Sequence, residues 1–295
     1  MISVFIPTKN EERNLPECLA KLQWTDDVWV YDSGSTDATE KIAVDAGAHF
    51  IVCAQNPGNE IFGGDESAHK NRALESIAFK YPWVLHLDAD ERTTPELVLN
   101  MQRALVQPGD VVAYRIQRRD FWGKQWLRHV VASAFYMRLF RPQRVRFQRR
   151  INPVPIADGE VGQLNGYIEH QPFNRGVTHW LDRHNAYSTL EANEICEASR
   201  DFSWRGVLFS RDFHQRRFHQ KQLFYKMPAR PLVKFFLLYL GKRGFLDGVE
   251  GLRYALLQSF YELMIVVKTA ELKSEKPNRL SAKTSPIAEP LAHDG

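Results

Sequence analysis

Three cysteines in 295 residues, Cys18, Cys53 and Cys196, are odd in number and widely separated. They exclude a disulfide framework and a CxxC metal cluster, and they fit a reducing compartment. Long apolar runs are lacking as well. The best candidate, PLVKFFLLYLGKRGF, is interrupted by Lys234 and again by Lys242 and Arg243, short of the roughly 18 to 20 apolar residues that cross a bilayer. The segment is expected to lie on a membrane rather than span one. The N-terminus, MISVFIPTKNEERN, has no basic leader and its apolar run stops at Pro7, so it reads as a strand and not a signal peptide. A cytoplasmic protein is expected, with peripheral attachment at the inner face of the cytoplasmic membrane left open. Glycine is missing from IPTKNEERN, where a dinucleotide site would need it, and no GxxxxGK[ST] occurs. Nicotinamide, flavin and P-loop nucleotide sites are thereby excluded. The formal net charge of +4 is too small to imply a nucleic-acid partner.

Hydrophobic residues make up 44% of the chain, enough at this length for one large domain and an appendage. From residue 2 to about 118, short apolar runs alternate with segments of helical period, the pattern of a mainly parallel, Rossmann-like sheet with flanking helices. Strands are expected at Ser3–Ile6, Val28–Tyr31 and His49–Val52, in the run ending at Asp88, and at Val111–Ile116. Helices are expected at Glu11–Leu22, Ala38–Ala46, Ser67–Lys80 and Pro95–Val106, with a Gly-rich loop, NPGNEIFGGD, after the third strand. Trp29 and Trp83 read as core. Residues 119–175 turn to aromatic and basic hairpins that complete the domain, and 176–272 form a helical C-terminal appendage. There, Leu252, Ala255, Leu256, Ser259, Phe260, Leu263 and Val267 have the spacing of an ordinary core stripe. Residues 273–295, without periodicity, are expected to be a disordered tail.

One stretch resists a purely structural reading. In WVLHLDADERT, residues 83–93, an apolar strand runs straight into Asp88, Asp90 and Glu91, whose charges repel. Open α/β sheets bind ligands beyond the carboxyl ends of their strands, so PTKNEERN, YDSGSTDAT and LDADE should converge on one rim. Hard cations such as Mg2+ or Mn2+ take oxygen ligands, and Mg2+ is usually held by one or two carboxylates plus substrate phosphates. The cluster therefore suits a metal that bridges to a diphosphate. A phosphatase with an aspartyl nucleophile would use the same pair differently; the upstream Asn10, Glu11 and Asp32 weigh against it.

In combination, SVFIPTKNEERNLPECL, VYDSGSTDAT, HKNRAL and WVLHLDADE resemble the nucleotide-sugar domain of family 2 glycosyltransferases, inverting enzymes of GT-A fold. RLFRPQRVRF, ADGEVGQLNGYIEH and KFFLLYLGKRGFLDGVEGL resemble the branch containing lipopolysaccharide-core glucosyltransferases. The resemblance implies a nucleotide-sugar donor, with uridine diphosphate the expected carrier, and a glycolipid or lipid-linked glycan acceptor. It implies that Asp32 recognises the base, with Pro7, Thr8, Asn10, Glu11 and Ser33 lining the same pocket. Asp90 would be the metal ligand, Asp88 would lie nearer the ribose or sugar, and Lys70 and Arg72 would flank the diphosphate. The alternative for Asp37, Glu11 and Glu12 is local: turn formation, helix capping and the helix dipole favour such residues regardless of ligand.

The chain departs from that branch at two points. Where those enzymes carry a His-Glu pair before ADGEVG and an aspartate before RLFR, it has Asn152-Pro153 and Ala134. Inverting transfer needs a carboxylate to take the acceptor's proton, which leaves Glu91, Asp120, Asp158 and Glu160 as candidate bases. A different acceptor, and a noncatalytic sugar-nucleotide or glycolipid binder, are the alternatives raised by the same two positions. Between Arg205 and Arg243 the chain has ten Lys or Arg and one acid, Asp212, interleaved with aromatics. Such a segment suits an anionic membrane surface or a phosphorylated glycolipid. Nucleic acid is set aside because no motif for it accompanies the stretch.

Overall fold

A computed structural model describes residues 2–53, 65–148, 153–197, 224–225, 227 and 229–281. Two compact units, residues 1–176 and 177–295, divide the chain. In the first, β1 (Ser3–Thr8) pairs in parallel with β2 (Val28–Asp32) and with β4 (Val84–His86), and β2 pairs in parallel with β3 (His49–Val52). Beyond β4 the sheet becomes mixed. β8 (Phe135–Phe140) is antiparallel to β4 and to β6 (Val111–Trp122), β11 (Glu160–His170) is parallel to β6, and β5 (Glu91–Thr93) closes the edge antiparallel to β11. The order is β3-β2-β1-β4-β8-β6-β11-β5. A short β7 (Gln125–Trp126) hairpins onto β6, and β9 (Val145–Gln148) with β10 (Val154–Ala157) forms a separate two-stranded ribbon.

Alternation along the strands sends side chains to two cores, one on each face. Val4, Ile6, Leu85 and Leu87 pack with Leu15, Leu19, Leu97 and Met101 from α1 (Leu15–Ala20) and α4 (Pro95–Ala104), with α2 (Thr39–Asp45) contributing Ala43 to the same face. Phe5, Tyr31 and Val84 point the other way, onto Ala73 and Leu74 of α3 (Glu66–Ser76) and onto Phe140 and Phe147. Gly166, at φ +91°, lets β11 press against α4: a Cβ there would meet the Leu97 backbone at 2.8 Å. Trp83 is buried as expected, while Trp29 is half-buried and stacks on His49.

Most expected elements of this unit are present with shifted ends. The first helix starts at Leu15 rather than Glu11, because residues 10–12 spend their amides on the neighbouring loop instead. The last expected strand runs on to Trp122, and β5, only three residues long, has no periodicity by which to find it. The Gly-rich loop lies almost entirely outside the described residues.

The second unit is helical over its described residues: α5 (Gly176–Glu197), α6 (Arg230–Phe236), a π-helical turn Leu237–Gly241, a 3-10 turn Gly244–Asp247 and α7 (Gly248–Ser281). Two expectations fail here. Helix α7 continues through Ser281, past the expected start of the tail at Lys273. Of the expected core stripe, Ala255 is fully buried but Leu256, Phe260, Leu263 and Val267 are exposed. The inward positions of α7 are Ala255, Glu262, Ile265 and Thr269, where Glu262 pairs at 2.8 Å with buried Arg230. Leu256, Phe260 and Leu263 of that stripe line a groove of about 840 Å3 with Leu232, Met227 and Tyr225. Spacing alone cannot say which of two apolar stripes faces inward when a buried ion pair claims part of the interior.

Candidate active site

Strands β1, β2 and β4 all end at one rim, and the loops that follow them are tied together. Asp32 is fully buried; one carboxylate oxygen accepts from Thr8 Oγ1 (2.9 Å) and Ser35 Oγ (2.5 Å), the other from the amides of Gly34 (2.8 Å) and Ser35 (2.6 Å). It therefore organises the loop after β2, as Asx residues do in turns. Asn10 adopts φ +55°, a left-handed conformation that Asn tolerates. From there its amide donates to Ser35 Oγ and its side chain accepts from the Thr36 amide. Glu11 and Glu12 donate their amides to Thr39 Oγ1 and Asp37 Oδ2, and Lys9 donates to the carbonyls of Ser33 and Gly34. Glu11 also accepts from Asn14 and pairs with Arg175 at 3.4 Å. Pro7 is buried in β1, and Ser33 sits 3.3 Å from His69 Nε2.

The DAD turn follows β4. The Glu91 amide donates to the Asp88 carbonyl, and the Asp88 amide donates to Glu91 Oε2 at 3.0 Å, so the two acids brace one tight turn. What offsets their repulsion comes from distant parts of the chain. Arg138, on β8, donates to Asp88 Oδ2 (2.8 Å), to Glu91 Oε1 (2.5 Å) and to His86 Nδ1 (2.9 Å). His170, the last residue of β11, lies between Asp90 Oδ2 (3.3 Å) and Asp120 Oδ1 (2.9 Å), and Arg118 reaches the same Asp120 oxygen at 3.1 Å. Lys70 on α3 is buried and paired with Glu66 at 2.8 Å. Arg72 is half-buried on the same helix.

These neighbours set the protonation of the rim. Burial works to raise Asp88, but Arg138 and Lys70 outweigh it and hold the carboxyl well below the usual carboxylate range. Burial likewise pushes Asp120 up, and the His170 hydrogen bond and charge reverse the sign. Glu91 has no solvent exposure, and burial carries it to about 7 despite Arg138. His170 goes the opposite way to an ordinary buried imidazole: burial lowers it, yet Asp90 and Asp120 bring it up to about 9. His86 is driven well below its ordinary value by burial, Lys70 and Arg138, so it is a neutral acceptor toward Arg138.

The structure sorts the candidate bases. Glu91 is fully buried and is hydrogen-bonded to the Asp88 amide and to Arg138. Asp158 precedes β11 and Glu160 opens it, ten residues before His170 at its other end, a run of roughly 30 Å. Of the other three, Asp120 is the one linked to the DAD turn, through His170. Ala134 precedes β8, where its carbonyl accepts from the Arg118 amide; Pro153 leads into β10, and Asn152 lies outside the described residues. His86, Arg138 and His170 escape assignment from sequence, although Arg138 opens RLFRPQRVRF and His170 closes ADGEVGQLNGYIEH.

Divalent-metal chemistry fits this donor set in a limited way. Asp88, whose side chain is 37% exposed, and Asp90 supply hard oxygen donors. Among the described residues no group of three or more His, Cys, Asp or Glu is arranged to hold an ion alone. An ion here would take its remaining ligands from phosphate and water.

A family model described as "Glycosyl transferase family 2" matches residues 3–170, ending on the same histidine that closes the rim. The chain belongs to glycosyl transferase family 2. This family 2 chain is thus a glycosyltransferase of GT-A fold, with a nucleotide-sugar donor. It is 26% identical over 271 residues to lipopolysaccharide core biosynthesis glycosyltransferase LpsC of Rhizobium meliloti, covering 87% of this chain and 89% of that one. Glycosyltransferase RT0209 of Rickettsia typhi is 25% identical over 295 residues, with 95% and 90% covered. Among solved structures, TarS of S. aureus aligns over 86% of this chain and 54% of its own at 15% identity and a TM-score of 0.42. Glucosyl-3-phosphoglycerate synthase from Mycobacterium tuberculosis, solved with Mn2+ and uridine diphosphate, aligns over 41% and 44% at 23% identity and a TM-score of 0.32. The family 2 chain spans about half the length of each of these two structures.

Proposed function

We propose that the enzyme transfers a sugar, with inversion, from a nucleoside-diphosphate donor of the uridine class to a hydroxyl of a lipid-linked or lipopolysaccharide-type glycan, near the inner face of the cytoplasmic membrane. The observation that carries this reading is the DAD turn at the carboxyl end of β4. Two carboxylates are held at a ligand-binding rim, with Asp88 kept ionised and accessible by Arg138. The glycan acceptor is supported by the name of the rhizobial relative.

In this reading Asp90 and Asp88 would hold a Mg2+ or Mn2+ ion, which when bound would neutralise the charge gathering on the departing diphosphate. Lys70, Arg72 and protonated His170 add fixed positive charge at the same rim, where such charge is most effective because little solvent reorganises during reaction. The loops after β1 and β2, with Thr8, Asn10, Glu11, Asp32 and Ser33, form the nucleoside side of the pocket. Asp120, kept ionised, takes the acceptor's proton while the acceptor oxygen attacks the anomeric carbon from the face opposite the leaving group.

Thermal stabilisation across a panel of nucleotide sugars and nucleoside diphosphates, with and without Mn2+ or Mg2+, tests the donor half. Binding at a hundredfold excess over Kd stabilises by about 2.7 kcal/mol; the shift should need the metal, favour one nucleotide and vanish in Asp90→Asn. Absence of a shift with any nucleotide would refute the donor site. For the acceptor half, Asp120→Asn should keep that shift and lose transfer to a lipid-linked glycan fraction by about 100-fold or more, and a retained anomeric configuration in the product would refute inversion.

A further inference from the structure

The second unit carries a feature that sugar transfer does not use. Along residues 232–249, Leu232, Phe236, Leu237, Leu240, Phe245, Leu246 and Val249 are between 47% and 63% exposed. Soluble surfaces rarely present so many large apolar side chains together. They are not leftovers of a loose core, because Leu238, Ala255 and Ile265 of the same unit are buried. The backbone holds the display in place. Arg243 takes φ +60°, and Gly251 lies so close to the Gly244 carbonyl that a Cβ would sit 2.0 Å from that oxygen.

The charges on this tip all have one sign where they face solvent. Arg230 is buried against Glu262, and Asp247, the single acid between residues 230 and 249, is 3% exposed. What remains is Lys234, Lys242 and Arg243, set among the exposed apolar side chains. Burial and the proximity of Lys234 both lower the Lys242 ammonium, so the cations stand near one another.

We infer that this tip is a membrane-docking surface. Phe236, Leu237, Leu240, Phe245 and Leu246 enter the headgroup layer of an anionic bilayer, and Lys234, Lys242 and Arg243 meet its lipid phosphates. The tip lies on the bilayer: α6 and its π turn span 12 residues from Arg230 to Gly241, about 18 Å of helix against a hydrocarbon core of about 30 Å. Among the described residues no helix is long and apolar enough to cross a membrane. A second copy of the chain suits the tip less well. Symmetric self-packing would bring two sets of Lys234, Lys242 and Arg243 together without an exposed acid from the tip to pair them.

The inference rests on the lipid-linked acceptor only for its purpose, so it is tested without donor or acceptor. The full chain is sedimented with extruded vesicles of phosphatidylcholine alone or doped with phosphatidylglycerol, at rising salt, with solution mass measured in parallel. Binding should require phosphatidylglycerol, weaken with salt, and fall by roughly tenfold or more in Phe245→Ser/Leu246→Ser and in Lys242→Gln/Arg243→Gln. Both variants are to keep wild-type helical circular dichroism and the nucleotide-induced thermal shift. No pelleting of the wild type, pelleting unchanged in both folded variants, or a dimer that both variants dissolve would overturn the inference. Loss of the nucleotide shift in the wild type would instead refute the donor site and leave the vesicle result standing.

Discussion

Strands β1 and β4 bury every one of their residues, and a cluster of paired charges sits at a rim beyond their ends. The second unit does the reverse: it places Arg230 and Glu262 inside and leaves Phe236, Leu240, Phe260 and Leu263 in solvent. The first arrangement concentrates electrostatics where a diphosphate would lie, and its stability comes from two apolar layers on a sheet. The second draws its order partly from a buried ion pair, which stabilises little compared with apolar packing of the same volume, and frees apolar surface for contact with something other than water. In this chain, then, polarity follows the task of each unit more closely than the general rule that places apolar residues inside.

The contrast can be broken at several points. Removing Arg138 by Arg138→Met should cost about 3–5 kcal/mol in urea unfolding, because Asp88 and Glu91 lose their shared cation and Glu91 has no water to turn to. Glu91→Gln added to it should recover part of the loss; no recovery would mean that Arg138 acts by packing alone. Leu85→Ala, in the fully buried β4, should cost about 2–5 kcal/mol. His170 supplies a pH test in chelator. Folding raises it from 6.5 to about 9 through Asp90 and Asp120, so its contribution is complete below pH 6.5 and fades as pH rises through about 9. Wild-type stability relative to His170→Asn should fall across that window, and a constant difference would remove His170 from the charge balance. Phe260→Ala, at 46% exposure, should change stability by only about 0.5 kcal/mol. A cost like that of Leu85→Ala would mean that its stripe is core after all.

Period and punctuation made the parallel half of the sheet legible. Ser3–Ile6, Val28–Tyr31 and His49–Val52 are short apolar runs bounded by turn residues, and they became strands at nearly those limits. The DAD turn was legible for a different reason, since acids at the end of an apolar strand demand compensation. The compensating groups were not, because His86, Arg138 and His170 are ordinary letters whose value depends on strand pairing across 50 to 80 residues. Asp158 and Glu160 show the converse. They looked eligible as carboxylates near a family-like segment, yet strand direction puts them at the wrong end of β11. The helix stripe at 252–267 misled for a related reason: α7 is apolar on more than one face, and only the tertiary partner of Arg230 decides which face turns in.

The pairing of β5 with β11 bears on how the protein is made. Glu91 faces His170 and Thr93 faces Ile168 across that edge, and Asp90 receives the Gln171 amide. During synthesis the carboxylates of the DAD turn leave the ribosome some eighty residues before the strand that seats them, and closing so long a loop is slow compared with local helix formation. Until residue 171 has emerged, the nascent unit holds a negatively charged turn without His170. A chain cut short before that point would keep most of its parallel strands and still have no finished rim.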